Sequence, residues 1–213
     1  LLTAEGWRKV ETLRVGMTAG LAARMSFPTE PMSLPPSEVF LLALLLAEGS
    51  YTGNHTGFSN ADPEIVRRAG EAAPEYGTHL KFQGKVSWDF IRNDATGRNG
   101  VKQMLQRHNI DDTLAKHKTA PSAVYRLPAA QLSDFLSVFW MCDGYVDEGG
   151  PGVTLASEKL VRQLQHLLLR FGVQSSVDFK QATLHGEKFD AWRLRVYAFS
   201  WEAFQGAIPL WAP

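Results

Sequence analysis

Two acidic residues, each closing an apolar run and each followed by glycine, are the chemically suggestive feature of this sequence. "LLALLLAEG" (41–49) ends in Glu48-Gly49, and "LSVFWMCDG" (136–144) ends in Asp143-Gly144. The C-terminus of a helix is the negative end of its dipole and a poor place for a carboxylate. Two carboxylates brought to one spot also repel each other. A divalent cation removes both conflicts, and Mg²⁺ takes a few hard oxygen ligands while keeping its waters. Carboxylates that bridge such an ion to a phosphate suit in-line attack on a phosphodiester. Either acid alone would be read as the surface end of a core helix. The recurrence of the pair favours chemistry.

The elements that must position these acids repeat as well. Val39 to Ala47 and Phe135 to Cys142 are apolar on every side, so each helix needs cover all round. Ser37 and Ser133 are the expected N-caps, with Pro35-Pro36 and Pro128 closing off any helix upstream. The two glycines lie 95 apart (144 − 49), and at that offset "ADPEIVRR" (61–68) falls over "ASEKLVRQ" (156–163). Asp62 and Ser157 then coincide as N-caps of a second helix, and "EYG" (75–77) over "RFG" (170–172) ends it with glycine. The offset widens to 104 (192 − 88) where Trp88 falls over Trp192, as a hairpin insertion would cause. A duplication of this kind governs the fold reading.

Between the helices the pattern alternates. "KVSWDFI" puts Val86, Trp88 and Phe90 inward, and "WRLRVY" puts Trp192, Leu194 and Val196 inward with Arg193, Arg195 and Tyr197 outward. Gly53-Asn54 and Gly149-Gly150-Pro151-Gly152 read as hairpin turns. Each half is therefore helix, two strands, helix, two strands, helix. The apolar helices cover their own sheets on one side and each other on the other. Ala43 and Ala47 permit close approach, whereas Val138, Phe139 and Trp140 make the contact unsymmetrical.

Of the 213 residues, 45% are hydrophobic and 21% charged, which predicts a substantial core. The formal net charge is zero and gives no general pull towards nucleic acid or membrane. The single cysteine, Cys142, excludes an internal disulfide and suits a reducing cytoplasm. No stretch reaches the roughly 18 apolar residues of a membrane span, and the charged N-terminus is no signal peptide. The chain lacks an initiator methionine and reads as a piece of a longer protein. The six histidines lack zinc-site pairing, and "DGYVDEGG" (143–150) lacks the ligand spacing of a calcium loop. Arg67-Arg68, Lys102 and Arg107 read as solvated helix faces.

The two motifs, together with "FSNADPEIV", "HLLLRFGV" and "WRLRVY", resemble a LAGLIDADG homing endonuclease over about residues 33–213. The resemblance implies an α/β (α+β) fold, a pseudo-twofold duplicated αββαββα arrangement with two saddle-shaped antiparallel sheets and a central two-helix interface. Its halves are about 33–127 and 128–213. It implies a monomer that grips double-stranded DNA at a long recognition site, hydrolyses both strands with a divalent metal and leaves 3′ overhangs. Glu48 and Asp143 would hold Mg²⁺, helped by the backbone carbonyls of Ala47 and Cys142; Mn²⁺ can replace Mg²⁺, and Ca²⁺ is expected to support binding without cleavage. "KTAP" (118–121) resembles the Lys-x-x-Pro stretch that precedes the second motif in intein-borne members. It makes Lys118 a catalytic residue, stabilising phosphoryl charge or helping to deprotonate water, with Lys116 near enough to compete. Residues 1–32 begin with "LLTAEGWRKVETLRVG", which resembles the part of a bacterial intein splicing domain just before an inserted endonuclease. The parent splicing domain is then a partner in the same polypeptide. The DNA readers implied are Lys81, Lys85, Arg92 and Arg98 in the first half and Lys180, Lys188, Arg193, Arg195 and Tyr197 in the second. The alternative is a decayed, non-cleaving DNA-binding or structural insertion of an intein. Zero net charge and Val138, at a position where the motif carries a small residue, favour it. So does the lack of a counterpart to Lys118 before Pro213.

Overall fold

The computed structural model describes residues 1–95, 97–184 and 187–211, with backbone alone at 182–184 and 187. Residues 212 and 213, the end of the expected nuclease span, lie outside the described residues. A small antiparallel hairpin, β1 (Leu2–Thr3) and β2 (Gly6–Trp7), opens the chain. The first repeat is α1 (Pro36–Glu48), β3 (Gly49–Ser50), β4 (Gly57–Ser59), α2 (Pro63–Ala72), β5 (Thr78–Gly84), β6 (Ser87–Arg92) and α3 (Gly100–Arg107). The second is α4 (Ala129–Asp143), β7 (Gly144–Asp147), β8 (Gly150–Leu155), α5 (Glu158–Leu169), β9 (Ser175–Leu184), β10 (Glu187–Val196) and α6 (Trp201–Ala207). The two four-stranded antiparallel sheets have matching orders, β3-β4-β6-β5 and β7-β8-β10-β9. The duplicated αββαββα order read from the sequence is present in both halves.

Local chemistry explains most boundaries. Asp62 and Ser157 are the expected N-caps, accepting from Glu64 N at 2.8 Å and Leu160 N at 3.1 Å. Gly77 (φ 61°) and Gly172 (φ 76°) follow the second helices in the left-handed conformation that glycine adopts without a Cβ clash. The serine caps of the two long helices are corrected. α1 starts at Pro36 after Pro35, and α4 starts after Pro128. Proline's fixed φ and missing N–H suit the start of a helix, so no side-chain cap is used at either end. Ser37 instead donates to Glu75, and Ser133 lies inside α4 and donates to the Ala207 carbonyl.

Strand register corrects three further expectations. Gly49 pairs with Phe58 and Phe58 with Trp88; in the other half Gly144 pairs with Val153 and Val153 with Leu194. The counterpart of Trp88 is therefore Leu194, an offset of 106 (194 − 88), and Trp192 pairs with Leu155. A slip of two residues leaves side-chain direction unchanged, so the inward assignment of Trp192 and Leu194 survives it. Val86 sits in the turn between β5 and β6 and is exposed, not inward. Gly150, Pro151 and Gly152 belong to β8, leaving Glu148-Gly149 as the two-residue hairpin loop.

The all-apolar helices are the centre of the core. Every residue from Glu38 to Leu46 is buried, as are Leu132 and Phe135 to Trp140 on α4. α1 and α4 contact each other more extensively than any other two helices. Residues 1–32 are tied to the second half by Met25 N donating to Leu169 O at 3.0 Å and Arg24 Nε to Arg170 O at 2.9 Å. No helix among the described residues is long and apolar enough to cross a membrane.

The motif glycines serve close approach, not unusual backbone angles. Gly49 (φ −70°) and Gly144 (φ −78°) are extended, but an added Cβ would lie 2.4 Å from Leu45 O and 2.4 Å from Trp140 O respectively. Gly49→Ala and Gly144→Ala are each expected to destabilise the protein by about 1–3 kcal/mol through overpacking. Urea unfolding checks this, and wild-type midpoints would refute it.

Candidate metal and nucleic-acid site

Glu48 and Asp143 are the last residues of α1 and α4. Both are half-buried, and the ends that carry them meet: the Asp143 charge acts on Glu48, and both acids act on Lys118. Loss of hydration pushes the Glu48 carboxyl up to about 7, a hydrogen bond from Asn60 partly offsets this, and Asp143 adds to it. Burial likewise raises Asp143, with Lys118 pulling the other way. Among the described residues no cluster of three or more His, Cys, Asp or Glu side chains could hold a metal ion. Two partly desolvated carboxylates supply hard oxygen donors and unbalanced negative charge, and Glu48 and Asp143 would suit a divalent cation.

Lys118 is buried at the end of α1, not exposed on a loop. Its Nζ lies 2.9 Å from Leu45 O, 3.1 Å from Leu46 O, 3.3 Å from Ala47 O and 2.8 Å from Gly49 O. Leu45 O also accepts from Gly49 N, and an ammonium here adds donors where the helix stops and meets the negative pole of the dipole. The Nζ also sits 5.2 Å above the Tyr51 ring. Burial lowers Lys118 to about 8, with Asp143 and Glu48 opposing. Ala47 O, expected beside the metal, is therefore shared with this lysine. Cys142 stays a neutral thiol because burial raises its pKa, with the two acids adding to the effect. Lys116 is exposed and faces α5 residues Lys159 and Arg162 instead.

Asn60 is the site residue that sequence reasoning missed. Its Nδ2 donates to Glu48 Oε2 at 2.6 Å, while its Oδ1 accepts from Asp62 N at 2.7 Å. The buried amide thus fixes one carboxylate oxygen against the start of α2. The signal was available: at the 95-residue offset (155 − 60) its counterpart is Leu155, so one half carries an amide where the other carries a hydrocarbon. Asp143 has no side-chain hydrogen bond among the described residues. Lys102 is also corrected, whereas Arg107 is exposed as expected. Lys102 Nζ donates to Tyr51 O at 3.2 Å and to Gly53 O, pinning the β3–β4 turn, and Arg107 pairs with buried Glu38 at 3.2 Å.

The candidate DNA readers divide by strand phase. Residues paired across an antiparallel ladder share a face, so Lys81 lies with Asp89 on the outer face of the first sheet. Arg193, Arg195 and Lys180 lie on the outer face of the second, and Tyr197 just past β10 is exposed. Lys85 occupies the β5–β6 turn at φ 53°. Arg92 is in phase with inward Phe90 and turns to Gly97 O at 2.7 Å, beside Arg98 near the start of α3. Lys188 is in phase with Trp192 and Leu194, opposite to Arg193. Arg92, Arg98 and Lys188 therefore lie off the outer faces that carry Lys81, Lys180, Arg193 and Arg195.

The raised carboxyls predict a pH signature of folding. Between the ordinary 4.5 and about 7, folded Glu48 keeps a proton that the unfolded chain has released. Its contribution to stability is fully present below 4.5 and is lost as pH rises through 7. The metal-free protein is expected to lose melting temperature across this window, and Glu48→Gln to lose less. Mg²⁺ should raise the melting temperature at pH 8 in the wild type but not in Glu48→Gln. Parallel melting curves for the two proteins would contradict the assignment.

Comparison with known proteins agrees with this geometry. Residues 130–204 match the family model of a LAGLIDADG-like domain. The chain is 27% identical over 235 aligned residues to protein RecA of Mycobacterium bovis, covering 100% of this chain and 30% of that protein. It is 24% identical to the replicative DNA helicase DnaB of Rhodothermus marinus, covering 88% of this chain and 21% of that protein. The chain thus spans about a third or less of the length of these relatives. Among solved structures, mesophilic variants of the homing endonuclease I-DmoI superpose with a TM-score of 0.55 at 9% identity, covering 81% of this chain and 90% of theirs. I-DmoI in complex with DNA and Mn superposes with a TM-score of 0.53 at 12% identity, covering 84% of this chain and 98% of that one. The chain has the fold of the LAGLIDADG homing endonucleases.

Proposed function

We propose that this chain is a site-specific, metal-dependent DNA endonuclease carried in an intein, hydrolysing both strands of a long double-stranded target and leaving 3′ overhangs. The observation that carries the reading is the meeting of Glu48 and Asp143 at the ends of two buried helices, within the field of one buried lysine. A bound divalent cation supplies charge neutralisation at the phosphate and a more acidic water. Glu48 and Asp143 hold that cation, Asn60 fixes the Glu48 carboxylate, and Lys118 presents positive charge beside the reacting phosphate. The fold shared with I-DmoI, including its complex with DNA and Mn, supports the DNA partner and the metal. The chain reads as a monomer, because one polypeptide contains both halves of the acid pair. Segments of RecA and DnaB both match this chain. A segment common to two such different proteins supports an insertion, with residues 1–32 as part of its splicing domain.

The alternative of a decayed, non-cleaving insertion gains a further observation: Leu155 stands where the first half has the Asn60 amide, so among the described residues Asp143 lacks a partner like Asn60. A cleavage assay with Mg²⁺ separates the two, using the host sequence joined across the insertion point as substrate. Cleavage by the wild type is expected, with Asp143→Asn and Glu48→Gln abolishing it while binding in Ca²⁺ survives. Asn60→Leu is expected to cost about 10- to 100-fold in activity or metal affinity, as loss of an orienting partner does. A folded wild type that binds this DNA without cutting it would establish the decayed reading.

A further inference from the structure

We infer that Arg195 reads a guanine through the major groove and that Asp147 is its positioning residue; the inference rests on the DNA-binding reading above. Arg195 stands on the outer face of β10, paired with Gly152 of β8, which in turn pairs with Tyr145 of β7. Gly152 makes room in that row for the Tyr145 ring, which an added Cβ would approach to 2.7 Å. The guanidinium reaches to the end of β7, where Nη2 meets Asp147 Oδ2 at 3.3 Å. The β7–β8 loop is itself locked, because Asp147 Oδ1 accepts from Gly149 N at 2.8 Å. Gly149 lies against the guanidinium so closely that a Cβ there would fall 2.8 Å from Cζ and 2.9 Å from Nη1.

Three constraints therefore hold one planar group. Nε is buried without a partner, so that edge is turned away from solvent. One hydrogen of Nη2 is committed to Asp147. The remaining hydrogens of Nη1 and Nη2 form the end-on fork that matches guanine O6 and N7. A free surface arginine loses rotamer entropy when it binds, whereas this one is already oriented, which favours base reading over a phosphate contact. Arg195 is two strand spacings, about 10 Å, from the strand that leaves Asp143, which places the guanine close to the cut in the second half-site.

The test is selection of bound duplexes from a randomised library in Ca²⁺, with the full chain, followed by sequencing. The wild type is expected to enrich a consensus containing a guanine that Arg195→Ala and Arg195→Lys no longer prefer, other positions being kept. The affinity lost on the consensus is expected to be about 5- to 150-fold. Asp147→Asn keeps an acceptor for Gly149 N and should weaken the preference at that same position alone. An unchanged consensus with uniformly weaker binding in Arg195→Ala would make it a phosphate contact and overturn the inference. No consensus from the folded wild type would instead overturn the DNA reading itself. Thermal melting identifies unfolded variants, and the lysine variant retains the charge if alanine fails to fold.

Discussion

The structure depends on placing two carboxylates at the tips of helices that have no polar face. A helix apolar all round must be enclosed on all sides, and α1 and α4 enclose each other between two sheets. Their ends emerge only partly into water, so burial penalises the charged forms of Glu48 and Asp143. Among the described residues neither acid has an arginine partner; Lys118 and, for Glu48, the Asn60 amide supply the compensation. An arrangement that leaves two hard oxygen donors under-compensated at one place is unfavourable for an empty protein and favourable for one that takes up a divalent cation.

The pseudo-twofold symmetry is real in topology and broken in chemistry. The first half brings Asn60 and Lys118 to its acid, and its short strands β3 and β4 leave little outer surface. The second half has ten-residue strands β9 and β10 and presents Arg193, Arg195 and Lys180 on one face. Both arginines face acids, Asp178 at 3.7 Å and Asp147 at 3.3 Å. Local pairing of this kind is how a chain of zero net charge can present arginines without a broad positive field.

The duplication was legible because glycines, caps and apolar runs recur at one offset, and they recur because each half must solve the same burial problem. The serine caps were misread because Ser37 and Ser133 satisfy the capping pattern while prolines at 35 and 128 occupy the cap positions, two (37 − 35) and five (133 − 128) residues earlier. The Trp88–Trp192 match failed by two residues because tryptophan fits any half-buried position on the correct face. Residue type alone did not give the direction of Arg92 and Lys188, which the ladders place in phase with inward side chains. Asn60 was passed over because an asparagine two residues before Asp62-Pro63 reads as turn chemistry. It is turn chemistry, at Oδ1, and its other side-chain atom holds the catalytic candidate.

The surroundings of Lys118 bear on which of its two chemical roles the fold supports. A neutral amine has two hydrogens and no charge, and would leave carbonyls at the end of α1 unpaired. The ammonium has three hydrogens for four oxygens, so one is shared, and its charge faces the negative pole of the helix. Burial lowers its pKa only to about 8, so at neutral pH the charged form prevails. A lysine held this way is poorly placed to take a proton from water, because its lone pair exists only after the cap has been weakened. It is well placed to fix a positive charge at the junction of the two acids without moving. The fold therefore favours electrostatic stabilisation over general-base catalysis for this residue, and the same contacts that complete the helix set the charge of the site.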